Sequence, residues 1–181
     1  MGASYSIIIR LDKTIAELIE AYGLKPHPEG GFYRETYRAA GKIPALALSQ
    51  SFHGDRAFST AIFYLLPEGS RSLLHRIASD EVFHFYLGGA MTLAQIAPDG
   101  AVSEIVMGTD FKKRQTVQHV VPAGSWFGAY PNPGSGYSLV GCTVAPGFDF
   151  ADFEIGGRAE LTGFFPKART IIERLTQAPV P

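Results

Sequence analysis

Glycine and proline punctuate this chain from end to end. Twenty glycines and twelve prolines cut it into short apolar and aromatic runs, and runs of that kind bounded by turn residues read as β-strands. Gly31–Ala39, Ala57–Leu66, Leu73–Ile77, Val82–Leu87, Met91–Ala97, Val102–Met107, Val117–Val121, Trp126–Tyr130 and Tyr137–Ala145 are the expected strands, roughly eight to ten in all at this spacing. Ala78-Ser79-Asp80-Glu81 and Pro98-Asp99-Gly100 are the expected turns. Sheets built from so many short strands must have their edges closed or covered, so the chain is expected to be all-β, as a sandwich or a barrel. One helix is expected near each terminus. Thr14 and Glu17 have the spacing of a capping box ahead of Ile15, Leu18, Ile19 and Tyr22, with Gly23 and Pro26 to stop the helix. Pro166 opens the second, over about 167–176, with Ile171, Ile172 and Leu175 on one face.

Composition narrows the partners. The 181 residues fit one domain, 1–181, with its core over about 12–165. Sixteen basic against seventeen acidic residues leave a net charge of −1, with no basic excess to attract nucleic acid. No apolar stretch approaches the ~18 residues of a membrane span, and Ile7-Ile8-Ile9 is too short for a signal-peptide core. Met1–Ser6 fits the loose myristoylation pattern. The lone Cys142 excludes an internal disulfide and a Cys-rich zinc site, and is compatible with a cytoplasmic location.

The chemistry concentrates between Gly69 and Gly88. His75 and Ile77 are second neighbours on one strand and face the same side, and the next strand can bring Glu81 across to them. A histidine and a carboxylate converging inside a small β-fold can ligate a metal or act as an acid/base pair. His84 lies three residues beyond Glu81, so strict alternation places the two on opposite faces unless a bulge intervenes. Tyr33, Glu35 and Tyr37 alternate along one strand face. Phe148, Phe150 and Phe153 are expected in the core or an interface, Cys142 as a buried inert thiol, and His27, His53 and His119 as structural or exposed.

The spacing Gly69, His75, Ile77, Glu81, Gly88 resembles the first motif of the cupin superfamily, jelly-roll β-barrels whose motif runs Gly, His-x-His, Glu, Gly. Pro122-Ala123-Gly124-Ser125-Trp126-Phe127 is similar to the second motif. Ile77 and Phe127 stand where two of the four metal ligands would be, and neither side chain has a donor atom. The strings His27–Tyr37, Ser79–Gly88 and Val144–Phe150 look like a cupin subfamily of largely uncharacterised proteins described as predicted sugar epimerases, which resemble the metal-free dTDP-4-dehydrorhamnose epimerases.

The resemblance implies a cupin-type jelly-roll barrel with no metal and no cofactor. It implies a homodimer that binds a small polar molecule, such as a nucleotide-linked sugar. His75 would be the general base, with Glu81 or Glu35 orienting it. Tyr33, Tyr37, Tyr86 or Tyr130 would supply the opposing acid. Arg34, Arg38 or Arg76 would hold a phosphate or carboxylate, Gln118 would orient the ligand, and His84 and Trp126 would line the pocket. Two alternatives stay open at this point. One is a metal enzyme with an unconventional ligand set built on His75 and Glu81; the other is a non-catalytic small-molecule-binding protein.

Overall fold

The structure, a computed structural model, describes residues 13–178. The Ile7-Ile8-Ile9 run and the N-terminal lipidation pattern lie outside them. Helix α1 (Lys13–Tyr22) leads into strands β1 (Lys25–Pro26), β2 (Phe32–Arg38), β3 (Lys42–Ile43) and β4 (Arg56–Ala57). Strands β5 (Thr60–Pro67), β6 (Ser72–Arg76), β7 (Asp80–Gly88), β8 (Met91–Ile96) and β9 (Val102–Met107) follow. Then come β10 (Gln118–Val121), β11 (Trp126–Pro131), β12 (Tyr137–Ala145), β13 (Glu154–Ile155), and helices α2 (Arg158–Phe164) and α3 (Arg169–Leu175). Nine of the thirteen strands are longer than two residues, so the expected number was right for the principal strands.

Two antiparallel sheets form the body, one in the order β1-β2-β5-β12-β7-β10 and the other β13-β6-β11-β8-β9. Their inner faces meet in an apolar core that includes Tyr64, Leu66, Phe83, Phe85, Met91, Leu93, Phe127 and Val140. The outer faces are covered separately. Helix α1 lays Ile15, Leu18, Ile19 and Tyr22 against Leu65, Leu139 and Phe63 behind the first sheet. Helices α2 and α3 lay Leu161, Ile171, Ile172 and Leu175 against Leu74, Ala94, Ile96 and Trp126 behind the second. Three apolar layers therefore sandwich two sheets, which satisfies the alternation of each strand on both faces.

The structure changes several expectations. The ladders run within each sheet and do not close into a barrel; an isolated bridge from Met107 to Thr116 spans the gap between β9 and the approach to β10. The arrangement is consistent with a jelly roll that stays open. A third helix, α2, appears after the Gly156-Gly157 pair, and the C-terminal helix begins with a 3₁₀ turn at Pro166–Ala168. Thr14 is the second residue of α1 as described. Asp80 and Glu81 belong to strand β7, not to a turn. No helix among the described residues is long and apolar enough to cross a membrane.

Candidate functional site

The turn between β1 and β2 builds the first half of the site. His27 N–H donates to the Gly31 carbonyl and Gly30 N–H to the His27 carbonyl, closing a tight loop. Gly30 and Gly31 both have positive φ, 114° and 69°, and a side chain at Gly30 would collide with the Arg71 carbonyl. Only glycine fits that combination. The Leu73 N–H donates to the Glu29 carbonyl, so the loop is stitched to β6 and its Glu29 side chain is carried to His75.

Glu29 is the hub. Its Oε1 accepts a 2.8 Å hydrogen bond from Ser72 Oγ, and its Oε2 lies 3.1 Å from His75 Nε2 and 3.5 Å from His27 Nδ1. His75 Nδ1 is 2.8 Å from the Leu73 carbonyl. A carbonyl only accepts, so Nδ1 carries a hydrogen. In a neutral His75, Nε2 is then a lone pair facing a carboxylate oxygen. A favourable contact at 3.1 Å needs one proton on that line, so the couple is a one-proton site, able to take a proton when empty and to return it when filled. The backbone N–H of Glu29 points at His27 Nδ1, which makes that nitrogen an acceptor. Burial holds the His27 pKa below the usual histidine value, with Glu29 opposing and His75 reinforcing the shift.

The second half comes from the facing sheet. Along β7, Glu81, Phe83 and Phe85 point inward, and Glu81 shares a cavity of about 190 Å³ with His75, Glu29 and Cys142. Burial, reinforced by the charge of Glu29, pushes the Glu81 pKa up to about 8, while the Cys142 thiol pulls the other way. Glu81 is thus a neutral carboxylic acid at neutral pH. Burial, reinforced by Glu81, also raises the Cys142 thiol well above its ordinary value.

The rim is aromatic on one side and ionic on the other. Phe148, Phe150 and Phe153, expected in a core or interface, form a wall of the cavity, with Phe150 stacked on His27 and Phe153 against His75. Asp152 fastens this wall. Its carboxylate accepts from both Nε and Nη2 of Arg56 and from the His53 N–H, and both side chains of the pair are buried. Arg56→Ala strands that carboxylate, at a cost of about 3 kcal/mol. The expected result is faster labelling of Cys142, the single cysteine, by a small thiol reagent; unchanged labelling would show that the wall does not control access.

Strand β2 supplies the ionic side, with a change of phase. Its pairing with β5 slips between Glu35 and Tyr37, so Thr36 is bulged and the alternation inverts. Tyr33 and Glu35 face the cavity as expected, but the next inward residue is Arg38. Tyr37 turns outward and is exposed. Arg38 Nε and Nη2 bind the two oxygens of Glu35 at 2.9 and 2.6 Å, and Nη2 also reaches the Phe148 carbonyl.

Other expected site residues lie elsewhere. The bulge in β7 falls after Phe85, too late to turn His84 inward. His84 sits on the outer face, hydrogen-bonded to Thr143 and Gln118, and Tyr86 lies over Gly141 on that same face. Trp126 packs behind the second sheet beneath the helices, where Arg76 covers its ring and pairs with Glu154. Tyr130 is in that layer too, donating to Glu104, and Arg34 lies over Phe63 on the outer face of the first sheet. Of the sequence candidates, the structure brings together His75, Glu81, Glu35, Tyr33 and Arg38. Sequence reading missed Glu29 and undervalued His27; the signal was the Pro28-Glu29-Gly30-Gly31 string, which demands a tight turn.

The residues present do not fit a mononuclear metal. Ile77 and Phe127 are both in the inter-sheet core, and the Phe127 ring packs 4.1 Å from the imidazole of His75. His75 already uses both nitrogens. Among the described residues no three His, Cys, Asp or Glu side chains are arranged to hold a metal ion.

Comparison with known proteins places these features in context. The family described as Cupin superfamily (DUF985) matches residues 16–156. The uncharacterized protein YML079W of Saccharomyces cerevisiae is 29% identical over 148 residues, covering 77% of this chain and 73% of that protein. The structure of a hypothetical protein from Leishmania major superposes with a TM-score of 0.82 at 31% identity, covering 90% of this chain and 98% of the other. Protein SO0799 from Shewanella oneidensis gives 0.79 at 34% identity, covering 90% and 97%.

Proposed function

Because this chain belongs to the DUF985 family of the cupin superfamily, and the relatives above bear no assigned activity, we propose a function from the site itself: a metal-independent isomerase or epimerase that moves a carbon-bound proton next to a carbonyl. The observation that carries this reading is the pairing, within one cavity, of a proton-accepting Glu29–His75 couple with a neutral Glu81 from the facing sheet. A neutral carboxylic acid across the cavity from a histidine–carboxylate couple divides the acid and base roles.

The chemistry balances without a cofactor. The couple removes the proton on the carbon beside the carbonyl, and that proton settles between His75 Nε2 and Glu29 Oε2. The electron pair moves onto the carbonyl oxygen as Glu81 donates its proton there, giving the enediol. The couple then delivers its proton to the former carbonyl carbon while Glu81 takes the proton of the neighbouring enediol hydroxyl, which leaves the isomer and restores both groups. Tyr33 and the aromatic wall flank the reacting body. The cavity lies below the roughly 300 Å³ of pockets for drug-sized ligands, so it suits a sugar-sized body, and the nucleotide part of a nucleotide-linked sugar would lie outside it. A cytoplasmic homodimer completes the reading, supported by the exposed Tyr86, Val117 and Val120 on or beside the outer face of the first sheet.

The test is deuterium incorporation next to the carbonyl of ketoses in heavy water, followed by NMR. Exchange is expected to fall by about 10²–10⁴ in His75→Ala, the usual worth of a general base, and in the wild type to decline above about pH 8 as Glu81 loses its proton. Exchange that is equal in wild type and His75→Ala would refute the proposal. Tight binding without exchange would favour a non-catalytic carrier.

A further inference from the structure

Among the described residues, every ionic group that faces the cavity except Asp149 already has an ionic or protonic partner inside the protein. Arg38 is the guanidinium at the cavity, and its Nε and Nη2 are spent on the two oxygens of Glu35 and on the Phe148 carbonyl. Glu29 is spent on Ser72 and His75. The Glu29–His75 couple carries one net negative charge without its shared proton and none with it. His27 offers no compensating charge, since its Nδ1 accepts from the Glu29 N–H and burial favours the neutral ring. The remaining charge is Asp149, at the exposed rim. Among the described residues, the interior thus has neither an unpaired cation for an anionic ligand nor an unpaired carboxylate for a buried ammonium. The rest of the lining is aromatic or aliphatic, Tyr33, Ile62 and Phe153 among it.

From this we infer that the cavity selects an uncharged polyhydroxy carbonyl compound, a free ketose or aldose, and rejects its phosphorylated forms. A ligand phosphate entering it would lose its water and find no unpaired positive partner. This inference rests on the proton-transfer reading above for the carbonyl. The charge selection rests on the pairing of Arg38 alone.

The two can be tested apart. Dihydroxyacetone, xylulose and fructose, and the monophosphate of each, are the probes, with binding read by saturation-transfer NMR and turnover by deuterium uptake. The free ketoses are expected to bind the wild-type protein at least about tenfold more tightly than their phosphates, as follows from burying an unpaired charge. Glu35→Gln leaves the guanidinium of Arg38 without its carboxylate, and is expected to bring the phosphates to equal or better binding. Phosphates that bind the wild type as well as the free ketoses overturn the charge selection. If they also exchange deuterium in a His75-dependent way, the proton-transfer reading survives. Free ketoses that bind selectively with no deuterium uptake uphold the charge selection and remove the proton-transfer reading. No binding of any probe by either form overturns the inference.

Discussion

Glu81→Gln is expected to erase a loss of stability of about 3–5 kcal/mol that the wild-type protein undergoes between roughly pH 4.5 and 8. The sign follows from which state holds the proton. The pKa of Glu81 is raised from 4.5 to about 8 in the folded protein by burial and by the charge of Glu29. Below pH 4.5 both folded and unfolded chains carry the proton, and the group contributes no pH dependence. As pH rises past 4.5 the unfolded chain releases its proton while the folded chain keeps it, so unfolding becomes progressively easier. Above about pH 8 both are ionised and the loss is complete. Glutamine has nearly the same shape and no proton to lose, so urea unfolding of the variant should vary less over that range. Parallel pH profiles for the two proteins would mean that Glu81 ionises normally, and the acid assigned to it would be lost.

Glu29 gives the second large effect, and its two variants separate architecture from chemistry. Glu29→Ala leaves the Ser72 hydroxyl and the facing nitrogen of His75 buried without their partner. Its expected cost is about 2–4 kcal/mol, the range for unsatisfied buried polar groups in a coupled set. Glu29→Gln keeps both contacts, since the amide oxygen can accept from Ser72 and the amide nitrogen can donate to His75 Nε2. It holds His75 neutral and correctly turned, but it fills the gap that receives the substrate proton. Stability close to wild type with ketose exchange reduced by about 10²–10³ is therefore expected. The loss of the Glu29 charge also removes the second cause of the Glu81 shift, so the pH profile of unfolding should move to lower pH in this variant. Full activity in Glu29→Gln would assign Glu29 a purely structural role.

Much of this was legible in the residues. The Gly- and Pro-bounded runs marked the principal strands because a strand of this size advertises itself through aromatic and β-branched content and the turns that end it. His75 and Glu81 were legible because their spacing along two consecutive strands, β6 and β7, puts each on the inner face of its sheet. The misplaced residues share a cause. Tyr37 and Arg38 exchanged faces at a one-residue bulge at Thr36, which no local pattern in that strand reveals. Strict alternation was right for His84, which stays outside. Trp126 went astray for a different reason: its strand is buried on both sides once α2 and α3 cover the second sheet, and an aromatic residue there has two apolar faces to choose from. Glu29 escaped because its position depends on a turn folding back onto β6, a contact across more than forty residues of chain. The aromatic segment of residues 148–153 reads as core by composition; the Arg56–Asp152 pair that fastens it as a cavity wall joins residues almost a hundred positions apart.

The central claim is that this member of the cupin superfamily moves protons with side chains alone. The most direct test is the metal content per chain by elemental mass spectrometry, on protein purified without chelator and without an affinity nickel column. The account predicts iron, manganese, zinc, copper, cobalt and nickel all far below one per chain, with ketose exchange unaffected by added chelator. A near-stoichiometric metal that is lost in His75→Ala would contradict it, because His75 would then be a ligand and not half of a proton-accepting pair.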